Sequence, residues 1–241
     1  MTPNPSELAK MLPQGCAVCG GAELIYGEVL WKALIDEWQL SPEETTYINI
    51  QQGLSCRSCG NNLRSMVLAR SICCAMGHEG TLISWIGSSS GQGCRILEIN
   101  IAGGLTNCLR QSPGHQLIEY PRVDIHSLPF PEHSFDLVVH SDTLEHVTNP
   151  VHALVDCRRI LRPFGVLAFT VPVVVGRISR SRQGLPPSFH GSPNEEKSDY
   201  RVQTEFGVDF WTLLLHAGFD TVTIHSLIFP AGLAVTARRV T

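Results

Sequence analysis

Residues 123–172 read VDIHSLPFPEHSFDLVVHSDTLEHVTNPVHALVDCRRILRPFGVLAFTVP, and this stretch decides how the chain folds. Phe135 to Val139 is a short, Val-rich apolar run between polar turns, too short for a helix, and predicts a buried strand. Asn149 followed by Pro150 predicts a helix start, with an N-cap and a proline in the first turn. Ala153, Leu154, Cys157, Ile160 and Leu161 then recur at helical spacing until Pro163 and Gly165 are expected to stop the helix. Gly165 to Val171 is a second apolar run. Strand, helix and strand make a right-handed crossover between parallel strands, and such sheets bind ligands at the carboxyl ends of their strands. His140, Ser141 and Asp142 fall at such an end.

Upstream, Arg95 to Ile99 (RILEI) predicts another buried strand, running into Asn100-Ile-Ala-Gly-Gly104 and a helix from Leu105 to about Gln111. A tight loop between strand and helix lets backbone N–H groups approach a ligand. Gln116 to Ile118 is the next apolar segment and ends at Glu119. So few residues separate Glu119 from Asp124 that the sheet is expected to be compact, shortened after its second strand. Downstream, Glu205 to Ala217 predicts a helix burying Phe206, Phe210, Leu213 and Leu214, with Gly218 as its stop. Thr221 to Leu227 and Leu233 to Arg238 then form an antiparallel pair. Between Val173 and Thr204 lies an insert carrying Arg177, Arg180 and Arg182, then Glu195, Glu196 and Asp199. Those arginines suit either a clamp for an anionic group or an ordinary solvated loop.

The N-terminal part has a different logic. Cys16-Ala-Val-Cys19-Gly20 and Cys56-Arg-Ser-Cys59-Gly60 are a pair of knuckles in which each two-residue spacing turns both sulfurs toward one ion. The glycine after each accepts the positive φ of the returning turn. Four thiolates so arranged predict a closed, structural Zn²⁺ site, and reduced core cysteines are the alternative. The insert between the knuckles carries a helical pattern over Glu28 to Trp38 and a capping box at Ser41-Pro-Glu-Glu44; Trp31 and Trp38 read as core. A third helix is expected from Leu63 to Met76. Residues 1–86 are thus taken as a small, mainly helical zinc-knuckle domain. Gly87-Ser-Ser-Ser-Gly-Gln-Gly93 has linker composition (87–93), and residues 94–241 form the α/β domain.

Composition sets bounds. A hydrophobic content of 43% with 17% charged residues describes a globular chain, and the net charge of −4 argues against a surface that tracks phosphates. The cysteine module is itself not basic, with five Lys or Arg against seven Asp or Glu in residues 1–76. No basic, apolar leader opens the sequence and no apolar run is long enough to span a bilayer, so a cytoplasmic location is expected.

The phrase D-x-x-x-LPF-x-x-x-SFDLV-x(5,6)-LEHV, followed by RRILRP-x-G, resembles the class I S-adenosylmethionine-dependent methyltransferases over roughly Cys94 to the C-terminus. That resemblance implies a Rossmann-like sheet, the cofactor S-adenosylmethionine, and an acceptor among small molecules, saccharides or natural-product intermediates. The family's E-x-G-x-G-x-G pattern maps Glu98, Asn100, Ala102 and Gly104 to the cofactor loop, with Asn100 and Ala102 where glycines are usual. It maps Asp124 to the adenine amino group and the Ile125 N–H to the ring; Glu119 is positioned for the ribose hydroxyls. His140, at the strand end, completes the expected cofactor side. Displacement at a sulfonium methyl needs alignment and, for an acidic acceptor, a proton acceptor. His140, His146 and His190 are the candidates, and His146 and His190 each have an ordinary structural reading beside them. TEFGVDFWTLLLHAGF also resembles zinc-knuckle methyltransferases of unassigned substrate. A non-catalytic binding protein that uses its zinc module for protein contacts is the competing expectation.

Overall fold

The structure, a computed structural model, describes residues 3–189 and 200–240. The chain begins with α1 (Pro5–Lys10), β1 (Leu24–Tyr26), α2 (Lys32–Glu37), α3 (Pro42–Gly53), β2 (Leu54–Cys56), α4 (Leu63–Ala75), α5 (Leu82–Gly87) and α6 (Ser89–Gln92). It continues through β3 (Ile96–Ile99), α7 (Leu105–Leu109), β4 (His115–Ile118), β5 (Phe135–Ser141), a 3₁₀ turn (Leu144–His146), α8 (Pro150–Ile160) and β6 (Leu161–Thr170). The last part holds β7 (Val173–Val174), β8 (Arg180–Ser181), β9 (Thr204–Gly207), α9 (Thr212–His216), β10 (Thr221–Leu227) and β11 (Gly232–Arg238).

Six strands form the central sheet in the order β10-β11-β6-β5-β3-β4. Strands β4, β3, β5 and β6 run parallel, and β11 is antiparallel to both of its neighbours. The expected α/β class and the closing antiparallel pair are therefore present. The sheet also ends at β4, because residues 119–134 between it and β5 hold only turns. Chain order reverses between β3 and β5, and that is where such sheets open a crevice at their carboxyl ends.

Alternate residues of the buried strands face opposite layers. Ile96, Leu137, Val139, Val166 and Ala168 pack with α4, α5 and α7, while Leu97, Ile99, Val138, Leu167 and Phe169 pack with α8 and α9. Helix α4 is capped by the Asn62 side chain on Ser65 N and buries Leu63, Met66, Leu68, Ala69 and Ile72 in the first of these cores. The cysteine module and the sheet thus share one continuous core. Residues 87–93, expected as a linker, run from the end of α5 through α6, with Gln92 hydrogen-bonded to Ile86 O at 2.7 Å.

Three elements depart from expectation for identifiable reasons. The helix expected over Glu28 to Trp38 is reduced to α2, because Asn49 Oδ1 captures the N–H groups of Val29 and Leu30 at 2.8 and 2.9 Å and holds them outside the helix. Helix α8 is not stopped by Pro163 and Gly165: it ends at Ile160 and β6 begins at Leu161. Pairing then jumps from Phe135↔Leu161 to Leu137↔Val166, so Pro163 sits in a bulge where a missing N–H costs no ladder bond. Finally, Thr204–Gly207 is a strand rather than helix, since it pairs with both β7 and β8, and the helix is confined to Thr212–His216. Tertiary pairing overrides local helical pattern there.

Candidate active site and metal centre

Both knuckles fold the same way. Gly20 N donates to Cys16 O and Gly60 N to Cys56 O, at 2.7 and 2.8 Å, and both glycines have positive φ, 83° and 71°. The short β1–β2 pairing sets the knuckles side by side. The Sγ atoms of Cys16, Cys19, Cys56 and Cys59 all lie within 4.8 Å of one another, with Cys16–Cys59 and Cys19–Cys56 both at 3.7 Å. A tetrahedral Zn²⁺ with bonds of about 2.3 Å requires sulfurs roughly 3.8 Å apart, so the donor set fits that ion. Burial pushes the Cys16 thiol up and the Cys19 thiol up to about 11, so a cation is needed to hold both as thiolates.

The residue after the second knuckle carries this module onto the crevice. A Cβ on Gly104 would lie 2.6 Å from Asn61 Oδ1, so any larger residue would have to displace the Asn61 side chain. Ser65 of α4 stands in ordinary contact beside Gly103, its Oγ 3.5 Å from where a Cβ would lie. Asn100 has φ 57° and Gly103 φ 59°, the left-handed geometry that the expected glycines or Asn would supply. Asn100 also ties the strand ends together, accepting from Tyr120 N at 3.0 Å and donating to Thr143 Oγ1 at 3.4 Å.

The expected rim of Glu98, Gly104, Glu119 and Asp124 divides in two. Glu98 is fully buried. Its Oε1 accepts from Ala102 N (2.8 Å) and Thr106 Oγ1 (2.5 Å), and its Oε2 meets His115 Nε2 at 2.7 Å. It therefore braces the loop from beneath instead of touching a ligand. The Ala102 side chain is likewise buried against the core, leaving only backbone to face the crevice. Glu119 and Asp124 are exposed beyond the end of β4. Asp124 Oδ1 accepts from His126 N (2.9 Å) and meets His126 Nδ1 (2.7 Å), and these contacts hold its carboxyl below the usual range. Ile125 is buried beside it.

His140 does not reach a ligand. It is fully buried, stacked on Phe169 with centroids 4.6 Å apart, and burial pulls its pKa down to about 3. His190 lies outside the described residues, as do Glu195, Glu196 and Asp199. His146 is at the site: its Nδ1 donates to Arg201 O at 3.1 Å, and its Nε2 stands 3.7 Å from Glu145 Oε1.

His146 lines a cleft of about 440 Å³ that opens at the carboxyl ends of β5 and β6. One wall comes from the insert between the knuckles, through Leu30, Trp31, Leu34, Trp38 and Ile48. The facing wall is Pro172, Val173 and Val174, and the floor is Arg64, Asp142 and Glu145. Trp38 is core as expected, buried with Leu34, Val174 and Val202 and with Trp31 packed against it; both indoles also border the cleft, and Trp38 donates to Ser188 Oγ at 2.9 Å. The insert arginines pair with carboxylates of the protein itself, Arg180 while its side chain stays 59% exposed. Arg177 grips Glu44 and the Trp38 and Gln39 carbonyls, and Arg180 and Arg182 both engage Glu205. Arg177 with Glu44, and Arg182 with Glu37 at 3.7 Å, join the two inserts, whereas Glu205 lies in β9.

Sequence reading missed the floor. Arg64, in the first turn of α4, pairs with Asp142, and neither oxygen of the buried Glu145 has a hydrogen-bond partner among the described residues. Burial raises the Glu145 pKa to about 8, opposed by Arg64. The sequence placed Asp142 at the end of a buried strand, whereas Glu145 carried no reading of its own within LEHV. No local signal in the sequence brings Arg64 to them.

Among known proteins, residues 74–169 match the family described as methyltransferase domain. A probable S-adenosylmethionine-dependent methyltransferase of Mycolicibacterium smegmatis is 38% identical over 125 residues, covering 50% of this chain and 44% of that protein. The ubiquinone/menaquinone biosynthesis C-methyltransferase UbiE of Pseudomonas fluorescens is 26% identical over 157 residues, 55% of this chain and 52% of that one. The chain therefore spans about half the length of these curated relatives. Among solved structures, a possible histamine N-methyltransferase from Thermotoga maritima is similar with a TM-score of 0.45 and 14% identity, covering 73% of this chain and 90% of that one. No described helix is long and apolar enough to cross a membrane.

Proposed function

We propose that this chain, which carries a class I S-adenosylmethionine-dependent methyltransferase domain, methylates a small-molecule acceptor seated in the cleft between its two inserts, with Zn²⁺ held structurally by Cys16, Cys19, Cys56 and Cys59. The observation that carries this reading is the cleft itself, which opens at the carboxyl ends of β5 and β6, next to the reversal of strand order at β3 and β5. S-adenosylmethionine, when bound, supplies a methyl group on a sulfonium that is already a good leaving group. The chain's own task is then to hold both reactants in line and keep water out. By the family resemblance, Asp124 and Glu119 offer carboxylates for the adenine amine and the ribose, and the Ile125 N–H serves the ring. Glu98 fixes the loop 100–104 so that its backbone is formed before any ligand arrives. Among the acceptors that the family resemblance implies, an apolar natural-product intermediate suits these aliphatic and indole walls better than a saccharide.

Calorimetric titration with S-adenosylhomocysteine tests the reading without knowledge of the acceptor. Wild type is expected to bind, and Asp124→Ala to bind about 10-fold or more weakly, the loss of one hydrogen bond to a charged group. A flat titration on folded, zinc-replete protein would instead favour a non-catalytic scaffold.

A further inference from the structure

We propose that the acceptor is a neutral molecule with a flat apolar body and a phenol-type hydroxyl, and that Glu145 takes the proton of that hydroxyl. This rests on the methyltransferase reading and specifies its substrate class. Glu145 is 2% exposed, lies in the cleft, and has both carboxyl oxygens without a hydrogen-bond partner among the described residues; His146 Nε2, at 3.7 Å, stands beyond hydrogen-bond reach. A buried carboxyl group in that state is costly, and a hydrogen-bond donor in the cleft satisfies it. Arg64 and its partner Asp142 already occupy the floor beside it. A carboxylate acceptor would meet Asp142, and with Glu145 holding its proton the Arg64–Asp142 pair is neutral overall and offers no net attraction to repay the desolvation of an ammonium. A neutral hydroxyl donor avoids both conflicts. The body of the acceptor meets Leu30, Trp31, Leu34, Trp38 and Val174, surfaces that reward a ring system and offer few partners to a polyol.

The step balances. The hydroxyl oxygen bonds the methyl carbon of the donor, the carbon–sulfur bond breaks with its electron pair staying on sulfur, and the proton goes to a Glu145 oxygen. The groups facing Glu145 are Arg64 from α4, Asp142 and His146 on its own segment, and Tyr200 across the cleft. Burial lifts its pKa to about 8, so the free carboxylate that takes the proton forms as pH rises through 8.

The test measures binding without methyl donor, using quenching of the cleft tryptophans by 2-naphthol and by naphthalene. Wild type is expected to prefer 2-naphthol by about 10-fold, and Glu145→Leu to bind the two equally. Because that leucine replaces an unpartnered polar group, the variant is expected to melt no lower than wild type. On unmodified protein, the infrared band of a protonated buried carboxyl should titrate above neutral pH and shift with 2-naphthol but not with naphthalene. A hydroxyl preference that survives in Glu145→Leu, no band shift, or tighter binding of naphthylmethylammonium than of 2-naphthol would each overturn the proposal. Titrating S-adenosylhomocysteine into the same samples separates the two levels. If it binds while the hydroxyl preference is missing, only this assignment fails; if it does not bind, the methyltransferase reading fails too.

Discussion

Cys56→Ser is expected to yield a chain without zinc that also fails to bind S-adenosylhomocysteine, although Cys56 does not line the crevice. Structural zinc sites of this type contribute about 10–16 kcal/mol of apparent binding free energy, which becomes folding free energy for the module that they close. The consequence travels because the second knuckle leads directly into Asn61, whose side chain sits against Gly104, and into α4, whose first turn carries Ser65 to Gly103 and Arg64 to Asp142. Helix α4 also supplies much of the core against β6 and β11. Elemental analysis should find one zinc per chain in wild type and none in the variant, with a thermal midpoint lower by about 10 °C or more. Cys74, exposed on α4 and outside the cluster, provides the control: Cys74→Ser should keep metal, midpoint and binding. A Cys56→Ser protein that binds S-adenosylhomocysteine as wild type does would sever the metal centre from the crevice.

Arg64→Met should cost about 3–5 kcal/mol of stability, because it leaves Asp142 and Glu145 in the cleft floor without their counter-charge. The loss is also expected to depend on pH. The folded state holds the Glu145 proton up to about pH 8, whereas an ordinary glutamate releases it near 4.5. The stability linked to that proton is therefore complete below about 4.5 and is lost as pH rises through 8. Removing Arg64 takes away the attraction that opposes this shift, so the variant should suffer more at pH 8.5 than at pH 5.5. Adding Asp142→Asn should recover part of the loss at both. Thermal unfolding of the two variants at the two pH values checks this, and equal losses at both would show that Arg64 does not act as the counter-ion.

How far the sequence revealed all this varies with the physics of each element. The crossover β5–α8–β6 was legible because burial enforces local periodicity and Asn149-Pro150 caps the helix through its own side chain. The cysteine cluster was legible because two-residue spacing and a following glycine are local requirements of a knuckle. The compact sheet followed from the few residues between Glu119 and Asp124. What escaped depended on distant partners. Strand β9 exists because β7 and β8 flank it, and Pro163 is tolerated because a bulge relieves it. Glu98 looked like a ligand contact by its place in the motif, but a buried carboxylate satisfies its bonds with whatever donors surround it, here Ala102 N, Thr106 and His115. The arginines of the insert carried no mark that Glu44 and Glu205 awaited them.

A crystal structure of the zinc-replete protein grown with S-adenosylhomocysteine tests the central claim most directly. The account predicts density for the whole ligand at the carboxyl ends of β3 and β5, its adenine against Asp124 and Ile125, and its sulfur facing the open cleft over Glu145. Ligand density at any other place, or a crevice filled by the chain's own side chains at saturating ligand, would contradict it.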